Sequence, residues 1–323
     1  MFVQLIENES LKLLRRRRFL IVVGIMLVIL SIVSYAQHER LSRQQNQNWR
    51  AELQERIARA ENRLRRGQMN PSWARSVRAE IRRLQFYLDR GINPEAPTAP
   101  LVVRTFANAA GWLLPLLVAI LGADIVSAEN AEGTDKLLLT RPVRRWKILT
   151  AKLLTLWMFT TITLLTGAVI AYCVTAPVIP PIGWDAPTFN GFQLAGDAMK
   201  LDTVRQLPLW RDAILAYGLQ WYSLLCVASI ALMLSVLFKS SAGSIGTMIA
   251  SLIGGSIITQ INPDWTAAKY LFSSALPLAD YYTGQAPPYE GMTMTFCILL
   301  LGGWAFGALV IAFTRFTRRD VFG

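Results

Sequence analysis

The chain has almost none of the residues from which catalytic and metal centres are usually built. It holds one histidine, His38, and three cysteines, Cys173, Cys226 and Cys297, in 323 residues. His38 has no clustered partner. The cysteines share no metal-like spacing, and each lies in a long apolar stretch, where a free thiol behaves as a small hydrophobe. There is no G-x-x-x-x-G-K-[ST] phosphate loop, because Lys239-Ser-Ser-Ala-Gly lacks the preceding glycine. No catalytic residue, metal site or cofactor site is therefore expected in this chain. Charge is also scarce: 17% of residues are charged and 53% are apolar, against about 25% charged in soluble domains.

What charge there is avoids six stretches altogether: Phe19–Ala36, Thr105–Ala123, Leu153–Ala176, Ala213–Phe238, Ser240–Asn262 and Gly291–Thr314. A hydrocarbon core about 30 Å thick needs about 20 apolar residues in a helix, and only helices or closed barrels satisfy every backbone polar group in lipid. The expected fold is all-α, a polytopic membrane protein with six transmembrane helices. Ion- and proton-coupled carriers usually place Asp, Glu, His or Arg at bilayer depth, and these stretches hold none of the four. Asp124 sits at the end of the second and reads as an interfacial residue. With no internal energy source, transport would have to be driven by another protein.

Lysine and arginine set the orientation. Lys12 and Arg15–Arg18, then Lys136, Arg141, Arg144, Arg145, Lys147 and Lys152, then Lys239, then Arg315, Arg318 and Arg319 all fall on one side. Both termini are therefore expected in the cytoplasm, the chain being multi-pass in the plasma membrane. Gln37–Arg104 objects, with 14 basic and 7 acidic residues on the opposite side; at 68 residues it is long enough to cross regardless of charge. The net charge of +12 thus belongs to membrane flanks and this outer segment, with no nucleic-acid partner implied. Phe19–Ala36 reads as an uncleaved anchor rather than a signal peptide, since its 18-residue run is longer than the usual h-region.

The flanks divide as follows. Residues 1–18 read as an interfacial elbow helix, with Phe2, Val3, Leu5, Ile6, Leu13 and Leu14 on one half and Gln4, Asn8, Glu9, Lys12, Arg15 and Arg16 on the other, the basic side lying near anionic lipid; an unstructured basic tail is the alternative. Residues 37–104 read as an extracytoplasmic helical hairpin. Trp49, Leu53, Ile57, Ala60 and Leu64 recur at helical spacing, Gly67–Pro71 breaks the pattern, and Trp73, Val77, Ile81, Leu84 and Leu88 resume it. Folding back sets Leu64 near Trp73, Leu53 near Leu84 and Trp49 near Leu88, and Gly91 suits the residue after the helix end. So thin a seam leans on a second copy or on the other loops. It is either a gating or partner-binding stalk or a spacer. Residues 177–212 form an extracytoplasmic loop with five prolines. Residues 264–290 are too interrupted to cross and too apolar for an ordinary loop, so a re-entrant segment and an interfacial loop remain open. Residues 315–323 form a tail. Thr160, Thr161, Thr163, Thr166, Gln220, Ser223 and the small-residue run Ser240–Ser256 serve helix packing, or line a path suited to an amphipathic or lipid-like cargo.

Residues 124–152, between the second and third spans, carry a patterned cytoplasmic segment. Reading along it, an acid (Glu129) is followed after three residues by Gly133-Thr134, then Leu138-Leu139, Pro142, a basic residue three on (Arg145) and a lysine seven beyond (Lys152). This pattern, between two membrane spans, resembles the membrane subunit of bacterial type-2 ABC exporters over nearly the whole chain. The resemblance implies that Glu129, Glu132, Gly133, Thr134, Leu138, Leu139, Pro142, Arg145 and Lys152 couple to an ATPase partner, with Arg145 and Lys152 at the headgroups. It further implies a separate ABC ATP-binding subunit carrying ATP and Mg, and a second permease copy in a homodimer or heterodimer. The cargo would be an amphipathic, lipid-like, peptide or drug molecule moved outward. A different class of reading is a non-transporting membrane sensor or scaffold whose outer hairpin binds a ligand or partner.

Overall fold

The computed structural model describes residues 2–44, 49–66, 71–94, 98–131, 144–195, 198–200, 204–261, 265–283, 285, 287, 289 and 291–318. Six helices in it are long and apolar enough to cross a membrane. They are α2 (Arg18–Gln44), α5 (Ala99–Gly122), α7 (Arg145–Thr175), α8 (Leu209–Leu237), α9 (Ser241–Ile261) and α12 (Met294–Arg318). The protein is an all-α, multi-pass membrane protein.

The bundle is built around α5 and α8. Leu114, Val118 and Leu121 on the first, and Leu224, Val227, Ala228 and Ala231 on the second, are fully buried. The other long helices share that core on one face and leave the opposite face bare: Leu20 and Ile32 on α2, Ile253 and Ile257 on α9, Leu299 and Phe306 on α12. Such faces cost nothing in lipid, where no hydrophobic force drives helices together and close packing must do so instead. Gly167 on α7 shows how close. A Cβ there would lie 2.6 Å from the Met26 methyl of α2 and 2.9 Å from the Phe106 ring of α5. Val22, Met26 and Leu30 join α2 to the common core.

The hydroxyls of α7 mostly close on their own helix. Thr160, Thr161 and Thr163 donate to the carbonyls of Leu156, Trp157 and Phe159 at 2.8–2.9 Å, which satisfies them without a partner helix. Two reach further: Thr161 accepts from the Trp221 indole at 2.9 Å, and Thr155 donates to the Ile6 carbonyl at 3.5 Å.

The helices overrun the uncharged stretches. α5 begins at Ala99, α7 at Arg145 and α8 at Leu209, so Arg104, Lys152 and Asp212 are helical residues packed inside the bundle rather than flanks outside it. Absence of charge marks where a helix can meet lipid. It does not mark where the helix ends, because a charge that finds a partner is tolerated inside.

At one end of the bundle, the hairpin side, α3 (Trp49–Arg65) and α4 (Pro71–Arg90) form the expected pair. Leu53 and Ile57 pack on Ile81 and Leu84, with Trp49, Leu64 and Leu88 around them. Trp73 departs from the expectation: it is exposed, sitting in the first turn of α4 beyond the seam. Gly91 ends α4 at φ +66°. Its N–H bonds the Leu88 carbonyl and that of Ile92 bonds Tyr87, the paired bonds of a Schellman cap.

The loop 177–212 is not featureless. β1 (Pro187–Asn190) pairs antiparallel with β4 (Arg205–Pro208), and β2 (Gln193–Ala195) with β3 (Ala198–Lys200). Pro187 and Pro208 face each other at the open end of the ladder, where a missing N–H does least harm; prolines in the sequence obscure such a ribbon. The ribbon is what the hairpin leans on. Phe86 of α4 meets Phe189 and Phe192 edge-to-face at 5.1 and 5.5 Å, and the Arg90 guanidinium lies 4.8 Å over the Phe86 ring.

Between α9 and α12 the chain breaks into a 3₁₀ turn (Thr266–Tyr270), α10 (Phe272–Ala275) and α11 (Leu278–Tyr282). Phe272, Ala275, Leu276, Leu278 and Ala279 are buried in the bundle. Neighbouring helices supply donors to the interrupted backbone: Ser223 of α8 to the Leu276 carbonyl and Trp304 of α12 to the Tyr270 carbonyl, both at 2.9 Å. Broken backbone is tolerated at membrane depth only when it is enclosed this way. The segment is therefore packed into the bundle rather than lying loose on its surface.

Candidate functional site

The patterned segment leaves the bundle on the side opposite the hairpin. Residues Glu132, Gly133, Thr134, Leu138, Leu139 and Pro142 lie outside the described residues. Its two ends, Glu129 and Lys152, are both described, and the fold brings them together.

After α5 the chain turns and forms α6 (Ser127–Ala131). The turn is fixed by Ser235 of α8, whose hydroxyl accepts from the Val126 and Ser127 N–H groups at 2.8 and 3.0 Å. Glu129 is then placed beside α7, and Lys152 reaches it at 2.8 Å. Lys152 also donates to Glu9 at 2.7 Å and to the Ile125 carbonyl at 3.2 Å. Lys12 completes the ring, donating to Glu9 and Glu129 at 2.8 Å each. Two ammonium groups and two carboxylates thus alternate around a closed ring of net charge zero, and each cation touches both anions.

The ring is dry. Glu9 is 5% exposed, Glu129 7% and Lys152 1%; Lys12 closes the ring on its open side. Burial alone would lower the Lys12 ammonium, but the carboxylates of Glu9 and Glu129 outweigh it and hold the group above its ordinary value. A single buried charge is very costly, and one paired on both sides with its remaining donors used is tolerated. Lys152 meets that condition through its third contact, the Ile125 carbonyl.

α1 (Phe2–Arg15) is the element that this geometry turns over. The amphipathic reading put Glu9 and Lys12 on its outward polar face. The helix instead buries Glu9 and Leu13 and leaves Val3, Leu11 and Leu14 exposed, because pairing with Lys152 and Glu129 offsets what the apolar stripe loses. Lys152 and Glu129 are likewise buried within the chain, each paired in the ring. Arg145 lies at the start of α7 and donates to the Thr317 carbonyl near the end of α12 at 3.3 Å, so it too binds within the chain.

A second ionic contact lies nearby. Asp124 is 1% exposed and pairs with Arg18 at the start of α2, with Arg16 at 3.9 Å. Between these arginines Arg17 takes φ +55°, a left-handed conformation that bends α1 away from the axis of α2. Non-glycine residues adopt it at a cost of about 1 kcal/mol, met here by the contacts of the flanking arginines. Asp124 is accordingly a structural anchor of the elbow.

At the hairpin side Arg104 and Asp212 form another buried pair, with Asn190 of β1 donating to the same carboxylate. Arg104 spends a further donor on Asn108 at 2.6 Å. Sequence reasoning missed this cluster, and it missed Glu9, Lys12 and Ser235. The available signal was that Arg104 and Asp212 directly abut uncharged stretches, where a charge without a partner is not tolerated.

The sequence comparisons agree with the membrane architecture. The chain belongs to the family described as protein of unknown function DUF2705. That family matches residues 76–322, from the second turn of α4 to beyond the last helix. Two similar proteins come from Bacillus subtilis (strain 168). One, the uncharacterized protein YhcI, is 26% identical over 324 residues and covers 99% of both chains. The other, the uncharacterized membrane protein YdbK, is 27% identical over 221 residues, 67% of this chain and 81% of its own length. The YhcI match takes in α1 and therefore both halves of the charge ring, whereas the family match begins after Glu9 and Lys12. Among the described residues no group of three or more His, Cys, Asp or Glu could hold a metal.

Proposed function

We propose that this chain is the membrane permease of an ATP-driven exporter of the type-2 ABC kind. The carrying observation is the Glu129–Lys152 segment. Its sequence pattern resembles that of such permeases, and the two residues that open and close the pattern meet at 2.8 Å inside a buried charge ring. A loop that receives force from an ATPase needs rigid ends. Here one end is tied to α8 through Ser235, and both are tied to α1 through Glu9 and Lys12. A displacement of the loop is thus passed to α1, α5 and α7, because parting the ring leaves a buried charge without its partner, and to α8 through the Ser235 contact.

In this reading the charge-ring side faces the cytoplasm of a bacterium, both termini lie there, and the hairpin stands outside the cell membrane. Glu132, Gly133, Thr134, Leu138, Leu139 and Pro142 form the surface that meets the ATP-binding subunit. ATP and Mg reside on that subunit. A second permease copy, identical or similar, supplies the other half of the pathway.

Affinity purification of the full-length chain from gently solubilised membranes tests this. A soluble ATPase with a phosphate-loop motif should co-purify, and Leu138→Asp should release it while leaving the permease folded. Recovery of the permease without an ATPase would overturn the exporter reading in favour of a sensor or scaffold.

A further inference from the structure

Between α5, α9 and the broken segment lies a cavity of about 260 Å³. Its lining is graded along the bundle. At the hairpin side the wall carries Asn108 from α5, Thr259 from α9 and Asp280 from α11. Deeper in, it is Leu116 on α5 and Leu252 on α9. Eight residues of helix separate Asn108 from Leu116 and seven separate Leu252 from Thr259, so both walls change from polar to apolar over about 10–12 Å. The volume lies just under the range usual for drug-sized ligands, which suits one headgroup and a short apolar chain.

The polar end is not neutral. The Asp280 Oδ1 atom is buried and has no hydrogen-bond partner among the described residues. The cation that would neutralise it is already committed: Arg104 is bound to Asp212 and Asn108. Arg83 of α4 acts on Asp280 only through its field, and α9 carries no charged residue. An uncompensated carboxylate oxygen at the head of an amphipathic cavity disfavours anions and is stabilised by a cation that brings its own apolar body.

We propose that this cavity binds the head of a cationic amphiphile, a protonated or quaternary amine on a short apolar chain, with Asp280 as its counter-ion. As the cargo of an exporter this rests on the function proposed above; as a binding site it stands on the permease alone.

The experiment measures saturable binding of octyltrimethylammonium to the full-length permease in phosphatidylcholine nanodiscs, above the partitioning into empty discs. The native chain should bind saturably at pH 7.5. Octyl sulfate should not compete. Asp280→Asn, nearly isosteric, should weaken binding by about tenfold or more, as loss of a charged partner does. Leu252→Trp, which fills the apolar end, should weaken binding too. No saturable binding by the native chain, or equal binding by Asp280→Asn, overturns the proposal. Cation binding without a co-purifying ATPase would uphold this site and remove the exporter reading; a co-purifying ATPase with no cation binding would do the reverse.

Discussion

Replacing Lys152 by methionine tests the charge ring most directly. Methionine keeps the volume of the lysine stem, so the change removes charge with little loss of packing. It deletes contacts at 2.7 Å to Glu9 and 2.8 Å to Glu129, and the 3.2 Å bond to Ile125. Two buried carboxylates are then left with Lys12 as their one cation within the ring. Breaking a buried pair from one side costs about 3–5 kcal/mol, and that loss is expected for Lys152→Met. Adding Glu9→Gln restores a net charge of zero and should recover about 1.5 kcal/mol or more, the value of a charge-assisted hydrogen bond. The two effects should therefore not add, with a coupling of about 1–3 kcal/mol. Denaturant unfolding of the purified chain in mixed micelles, followed by tryptophan fluorescence, gives all four corners of the cycle. The pH dependence has a definite sign. In the variant one carboxylate gains by taking up a proton, so its deficit should shrink between pH 8 and pH 5. In the native ring the Lys12 contribution, raised above the ordinary lysine value, is fully present below that value and is lost only as pH rises through the folded one. A Lys152→Met chain within about 1 kcal/mol of native, or additivity with Glu9→Gln, would refute the ring as a unit.

Three further outcomes follow from other parts of the fold. Phe86→Ala removes the edge-to-face contacts to Phe189 and Phe192 at 5.1 and 5.5 Å; it should cost about 3 kcal/mol locally, read as faster amide exchange across residues 71–90 with bundle exchange unchanged. Gly255→Ala would set a Cβ 1.8 Å from the Ser273 hydroxyl and 2.7 Å from its Cβ. It should destabilise by about 1–3 kcal/mol, and Ser273→Gly in the same chain should restore stability. In a background lacking Cys173, Cys226 and Cys297, Ser72→Cys should react with an impermeant maleimide in intact cells and Thr140→Cys only after permeabilisation; labelling of Thr140→Cys from outside would invert the proposed topology.

The six spans and the hairpin were legible because each rests on a periodic signal. Uncharged runs of membrane length and the recurrence of Leu53, Ile57, Ile81 and Leu84 have few competing explanations. Gly91 was legible for a local reason, since the residue after a helix end often takes a left-handed conformation that suits glycine. The ribbon at Pro187–Pro208 was not, because its strands are four residues long and its prolines read as loop. Trp73 was assigned to the seam by spacing alone, and spacing does not say where a seam stops. Most of the charge ring was hidden for a different reason. Glu9 and Glu129 are separated by 120 positions, and nothing local distinguishes a glutamate that will be buried from one that faces water.

That failure bears on how the Glu129–Lys152 segment is to be understood. Pattern reasoning treated Glu129 and Lys152 as members of a contact surface because they belong to one recognisable run of residues. The geometry separates the run into two parts with different physical work. Glu129 and Lys152 are sequestered and paired, so their substitution should act first on stability. Gly133, Leu138 and Leu139, lying between the anchored ends, are the positions whose substitution should act on partner affinity with little effect on unfolding. A variant set that lowered stability and partner binding in proportion at all five positions would contradict this division. Partner binding lost at Leu138 with native stability, together with stability lost at Lys152 and restored by Glu9→Gln, would support it.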